Sequence, residues 1–340
     1  MSGEGSYRVA VIGSDTLRGR EIQEILSARK FPLKTIEFYD PDVEEEYSKL
    51  CRFEEEAKVV HHLAPAMLHG LDLVFLASDQ RTNLEYGRLA GTLGFRAIDL
   101  SETFNDDPGV PLVVAGLNDR ILSRSKAHLT ANPSPVTIIM SHLLYSIHQS
   151  FRIKGAFSVV MEPVSVYEEK GIQELADQSM ALLGSSAMPK KVFRGQVAFN
   201  LLSHVGRLDK NGYSGREKRI LSEIKRVLGN SAFPFSLSII LAPVFHGYSI
   251  MTYVETETKA GLAALKDCLD ADPFVDASAG GPKQTISSVS VAGRDKIFIG
   301  LIKKEVSIPR AFWIWAVADN LTLGSAINAY GIARAMFGLP

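Results

Sequence analysis

Between residues 7 and 100 the chain alternates short apolar runs with amphipathic stretches, and few folds accept that pattern. Strand-like runs lie at 7–13 (YRVAVIG), 34–39 (KTIEFY), 71–77 (LDLVFLA) and 95–100 (FRAIDL). Between them, 18–27 carries Ile22, Ile25 and Leu26 at helical spacing, and 82–93 also reads as a helix. Strands separated by helices predict right-handed βαβ units, hence a Rossmann-like, doubly wound parallel sheet.

After Asn132-Pro133 the texture changes. A helix is expected at 136–151, then longer strand-like runs at 155–165, 235–241, 249–257, 284–292 and 296–302. Two amphipathic helices interrupt them, one with Ile172, Leu175, Ala176, Leu182 and Leu183 on its apolar face, the other with Ile220, Leu221, Ile224, Val227 and Leu228. This predicts an α+β second domain with a largely antiparallel or mixed sheet, and a last helix over 325–337 closes the chain. Two domains suit 340 residues. The expected division is 1–132, completed by a C-terminal helix within 322–340, and 133–321.

A hydrophobic share of 46 % and a charged share of 22 % exclude a disordered chain. A net charge of −1 offers no basic excess for nucleic acid or an anionic membrane. No apolar run is long enough to span a bilayer, residues 1–8 are short and polar, and a cytoplasmic protein is expected. Cys51 and Cys268 are the only cysteines, which suggests a reducing compartment and gives no metal-ligand spacing. The acidic runs at 44–46 and 54–56 read as solvated loop or helix faces.

Gly13-Ser14-Asp15-Thr16-Leu17-Arg18-Gly19 follows a strand and opens a helix. That context fits a turn that cradles a pyrophosphate, and equally a turn whose glycines serve only tight packing. Thr16 stands where the middle glycine of such a turn would be. Asp40 ends the second strand, where a carboxylate bonds a ribose 2′-hydroxyl and repels a 2′-phosphate. A dinucleotide bound here is therefore expected to be NAD rather than NADP. Asp40 also reads as an ordinary Asp-Pro turn residue.

Several segments together resemble the aspartate-semialdehyde dehydrogenase family. They include VAVIGSDTLRG at 9–19, AIDLSETF at 97–104, ANPSPVTI at 131–138, LAPVFHGYS at 241–249 and WAVADNLTLGSAINAYGIA at 315–333. They stand in the family's order and cover nearly the whole chain. The resemblance implies an NAD(P)-binding first domain, a second domain for catalysis and homodimer contacts, and a C-terminal helix that returns to the first. It also implies NADP-dependent reductive dephosphorylation of aspartyl phosphate, with a cysteine thiolate that forms a thioacyl-enzyme, a histidine acid/base, and arginines for carboxylate and phosphate.

At the chemical positions the sequence departs from that pattern. The nucleophile position holds Pro135, which has no nucleophilic atom. Ser134 beside it lacks a visible base. The acid/base position is Tyr248, and His246 two residues earlier is a relocated candidate if a strand pleat returns it to the same face. The substrate arginines correspond to Leu241 and Asn105. The acyl-orienting glutamine corresponds to Glu162, and Ser165-Val166-Tyr167-Glu168 replaces a Ser-Gly-x-Gly turn. The substrate lysine maps to Arg219, beside Lys218. Asn320, next to Asp319, matches the part that closes over the nicotinamide, and Asn328 follows in the same segment; all three also suit capping and packing.

The chain thus reads as a divergent, usg-type paralogue that keeps the scaffold without the catalysis. The alternatives are an NAD-binding oxidoreductase of thiol-independent chemistry using Glu162, His246 or Tyr248, or a binding module for a small metabolite. No metal is expected.

Overall fold

The computed structural model describes residues 6–44, 49–125, 127–184, 187–229, 233–281 and 285–339. They fall into two compact units, 1–134 with 325–340, and 135–324. Each is described by itself.

In the first unit, β1 (Tyr7–Ile12) runs into α1 (Leu17–Ala28), followed by β2 (Leu33–Asp40). A hairpin of β3 (Lys49–Phe53) and β4 (Glu56–His62) comes next, then β5 (Leu73–Leu76), α2 (Gln80–Leu93) and β6 (Arg96–Asp99). The short α3 (Arg120–Arg124) and β7 (Leu129–Ala131) complete this part. Among the described residues the sheet has the order β3-β4-β2-β1-β5-β6-β7, parallel except for the β3–β4 pair. β1 and β5 bury their last four residues and all four residues respectively, as central strands covered on both faces must. Asp79 caps α2 by accepting from Arg81 and Thr82 N–H, and Gly94 ends it at φ +82°.

The second unit opens with α4 (Pro135–Phe151), β8 (Ile153–Glu162) and α5 (Glu168–Gly184). Then come α6 (Gly215–Leu228), started by a Ser214–Glu217 capping box, β9 (Phe235–Leu241) and β10 (Tyr248–Thr256). α7 (Leu262–Asp270), the short β11 (Val275–Asp276), β12 (Ile297–Lys304) and β13 (Ala311–Ala318) follow. Among the described residues they form a mixed sheet, β11-β12-β13-β10-β8-β9. Buried and half-buried residues alternate along all of β10, which is the signature of one covered and one open face. The chain then closes with α8 (Asn328–Phe337), which packs on α1, α3 and β6 of the first unit.

One strand expectation differs from this structure, and some strands were not expected. Gln284 lies outside the described residues, and 285–292 is loop with a 3-10 turn at Val289–Val291. There Ser290 Oγ accepts from Ser287 N–H at 2.9 Å, and lies 2.9 Å from the Ser287 carbonyl. Such local side-chain bonds give the backbone an alternative to a ladder. Conversely, 311–318 is a full central strand. Glu54 and Glu55, both at positive φ, make the β3–β4 turn, so that part of the acidic run is loop, whereas residues 45–46 lie outside the described residues. No helix among the described residues is long and apolar enough to cross a membrane.

Candidate functional site

In the first unit the turn after β1 is built on two glycines. Gly13 sits at φ +85°, and a Cβ there would come within 2.5 Å of Ser78 N; one on Gly19 would lie 2.0 Å from the Gly13 carbonyl. Both are fixed by backbone packing, whatever binds. Thr16 is the N-cap of α1: its hydroxyl accepts from Gly19 N–H at 2.9 Å and lies 3.0 Å from the Gly13 and Ala77 carbonyls. One of the helix's orphan donors is therefore met by the chain itself. Asp40 is buried at the end of β2. Burial pushes its carboxyl up, and the Lys49 ammonium, 3.9 Å from Oδ2, works against that. Lys49 is also paired with Asp15. Two buried oxygens, Ser14 Oγ and Asp40 Oδ2, have no hydrogen-bond partner.

Asn105 is buried in the turn after β6. Asp99 organises that turn, accepting from the N–H and hydroxyl of Ser101 and from Phe104 N–H. Asn328 ties the same unit together, taking Ala115 N–H and donating to Val113 and Asn132.

In the second unit a buried carboxylate is the centre. Glu162, 1 % exposed, ends β8. Arg216 Nε, from the first turn of α6, lies 2.6 Å from its Oε2. The Tyr248 hydroxyl donates to the same oxygen at 3.3 Å and accepts from Arg216 Nη2 at 3.1 Å. The Tyr167 hydroxyl donates to Oε1 at 3.2 Å. Burial, then the Glu162 charge, push the Tyr167 phenol well above its ordinary value. Tyr248 has no exposed surface. Leu241, at the end of the neighbouring β9, is buried in an apolar cluster with Val164, Leu175 and Phe193. Pro135 is the first residue of α4, where a missing N–H costs nothing. A Cβ on Gly324 would come within 2.5 Å of the Pro135 ring.

Residues 144–323 match the family model of the semialdehyde dehydrogenase dimerisation domain, and 8–124 that of the semialdehyde dehydrogenase NAD binding domain. The chain belongs to the aspartate-semialdehyde dehydrogenase family. It is 30 % identical to the aspartate-semialdehyde dehydrogenase of Rickettsia conorii, over 96 % of this chain and 97 % of that one. It is 27 % identical to the USG-1 protein homolog of Pseudomonas aeruginosa, over 94 % of this chain and 95 % of that one. Among solved structures, a probable aspartate-semialdehyde dehydrogenase from Pseudomonas aeruginosa superposes with a TM-score of 0.91 at 26 % identity, covering 97 % of this chain and 98 % of that one. The fold of aspartate semialdehyde dehydrogenase II from Vibrio cholerae agrees equally well, with a TM-score of 0.91 at 24 % identity over 98 % of this chain and 99 % of that one.

The structure brings together some of the family positions singled out in the sequence. Glu162, Tyr167 and Tyr248 meet in one network. His246 does not join the strand: β10 begins only at Tyr248, and Gly247 at φ +85° breaks the pleat, so the same-face argument for His246 fails. Asn320 holds the loop instead, accepting from Gly247 N–H at 2.8 Å and donating to Ser165 Oγ at 3.1 Å. Asp319 caps the next turn through Leu321 and Thr322 N–H. Arg219 is half-buried on α6, and its neighbour Lys218 pairs with Asp209 at 3.1 Å. Among the described residues no group of three or more His, Cys, Asp or Glu side chains is placed to hold a metal.

Arg216 was not legible as a site residue. The Ser-x-x-Glu capping box places it in a first helical turn, but its reach to Glu162 is a tertiary fact. The usable signal was the acid itself, because a glutamate inside an apolar strand needs a cation.

Proposed function

We propose that this protein keeps the nucleotide-binding, dimerising scaffold of its family without the phosphorylating thioacyl chemistry. The observation that carries the reading is the buried Glu162 held by Arg216, Tyr167 and Tyr248. An aspartyl phosphate or a semialdehyde carboxylate needs fixed positive groups. Here the acyl-orienting position is itself an anion, and the nearby guanidinium is paired with it. Leu241 lies in apolar packing, where an anion would be strongly disfavoured. Pro135 offers no thiolate, and thiolate is the attacking species of the thioacyl route.

The first unit fits a dinucleotide. Ser14 Oγ and Asp40 Oδ2 are buried polar atoms without hydrogen-bond partners at the carboxyl ends of β1 and β2. Ligands of open α/β sheets bind at that edge. Asp40 would hold a ribose diol, which favours NAD over NADP. When bound, such a cofactor supplies hydride transfer.

The open face of the second sheet supports a homodimer. Phe157 stacks on Tyr253 with centroids 4.8 Å apart, and Trp313 packs edge-on against both. Phe157 on β8 and Leu301 on β12, with β10 and β13 between them, stay 43 % and 48 % exposed. An apolar, aromatic face of this kind marks an interface.

The test is thiol restoration. Pro135→Cys is expected to show no NADP- and phosphate-dependent oxidation of aspartate semialdehyde, because the acid/base and anion-holding positions are also replaced. Measurable turnover by that single variant would overturn the reading.

A further inference from the structure

Arg18 stands in the first turn of α1, and that turn carries no acidic side chain. The guanidinium acts on the buried Asp99 carboxylate, working against the push of burial on that group, and the helix dipole adds positive potential at the same N-terminus. The Arg18 side chain also runs across the sheet. Arg18 Nη1 donates to the Leu100 carbonyl at 3.2 Å, just beyond β6. Leu100 N–H bonds the Leu76 carbonyl, at the end of β5. With β1, β5 and β6 adjacent in that order, the guanidinium spans the carboxyl edge of β5. This is the edge where the crevice of an open α/β sheet takes its ligand. The turn itself is poorer in donors than a three-glycine turn, because Thr16 occupies the middle position and its hydroxyl already takes Gly19 N–H. In the same turn, buried Ser14 Oγ lacks a hydrogen-bond partner.

We propose that Arg18 is the anion-holding group of this crevice, taking the pyrophosphate of a bound dinucleotide in place of the missing turn glycine. The inference rests on the nucleotide-binding reading above. A guanidinium presents a planar fork of donors that matches two phosphate oxygens. An anion between that fork and the start of α1 is attracted by both. Ser14 Oγ supplies one further donor from within the turn.

Isothermal titration calorimetry of the full chain with NAD, NADP, ADP and adenosine tests this. In the wild type, NAD and ADP are expected to bind, NADP more weakly than NAD, and ADP more tightly than adenosine. Arg18→Ala should weaken NAD and ADP by about 10-fold or more, the scale of one lost charge-assisted contact, and leave adenosine unchanged. Arg18→Lys should recover part of the loss. Raising the salt concentration should weaken NAD binding in the wild type more than in Arg18→Ala. Thermal melts of the variants confirm that they fold, and Arg18→Gln replaces Arg18→Ala if it does not. If Arg18→Ala binds NAD and ADP as tightly as the wild type, or more tightly, Arg18 is a plug rather than a clamp and the proposal fails while nucleotide binding stands. If the folded wild type binds none of the nucleotides, the nucleotide-binding reading fails and takes this proposal with it.

Discussion

In the function proposed above, buried Glu162 is the residue that disfavours an anionic substrate. It is almost wholly buried, and Arg216 and two phenols face it. Glu162→Gln would leave the guanidinium without its counter-charge. Removing one partner of a fully buried pair costs about 3–5 kcal/mol; with the Arg216 side chain 25 % exposed, about 1–3 kcal/mol is expected here. Urea denaturation should show the loss, and Glu162→Gln/Arg216→Met should recover much of it. An unchanged midpoint in the single variant would show that the pair does not hold the site. Neighbouring residues differ in how far they could be read. Pro135 and Leu241 were legible as departures once the chain was set against the family pattern, since neither side chain carries a polar atom. Arg216 and the role of Asn320 were not, because both depend on loops that meet only in the folded unit.

At the scale of elements, the turn between β8 and α5 keeps a glycine geometry without the glycine. Glu168 adopts φ +58° and ψ −162°, a region that side chains other than glycine's enter at a cost of about 1–3 kcal/mol. Glu168→Gly should therefore stabilise the second unit by about 1 kcal/mol, the strain relief being partly offset by glycine's freedom in the unfolded chain. A lower melting temperature in that variant would show that the side chain earns its place by contacts. The same scale explains which elements the sequence disclosed. The βαβ rhythm of the first unit was plain, because strands covered on both faces read as continuous apolar runs. The β3–β4 hairpin was hidden, since Leu50, Cys51 and Arg52 alternate poorly at an exposed edge. The 285–292 stretch misled because its alternating valines and serines have a strand period, while the serines bond locally.

For the whole molecule, the proposed function is that of a family scaffold whose interfaces outlast its chemistry. If the aromatic face of the second sheet is the dimer contact, light scattering at micromolar concentration should give twice the 37.2 kDa of the chain. Trp313→Glu, which places a charge beside Phe157 and Tyr253, should then shift the mass toward the monomer without unfolding the unit. A wild-type monomer would remove that part of the account. One assay meets the proposed loss of catalysis directly. The purified wild-type chain is mixed with aspartate semialdehyde, phosphate and NADP, and the appearance of NADPH is followed by absorbance, with NAD in a parallel run. No enzyme-dependent rate is expected with either cofactor on the proposed function. Turnover in the ordinary enzyme range, about 1–10³ s⁻¹, would contradict it.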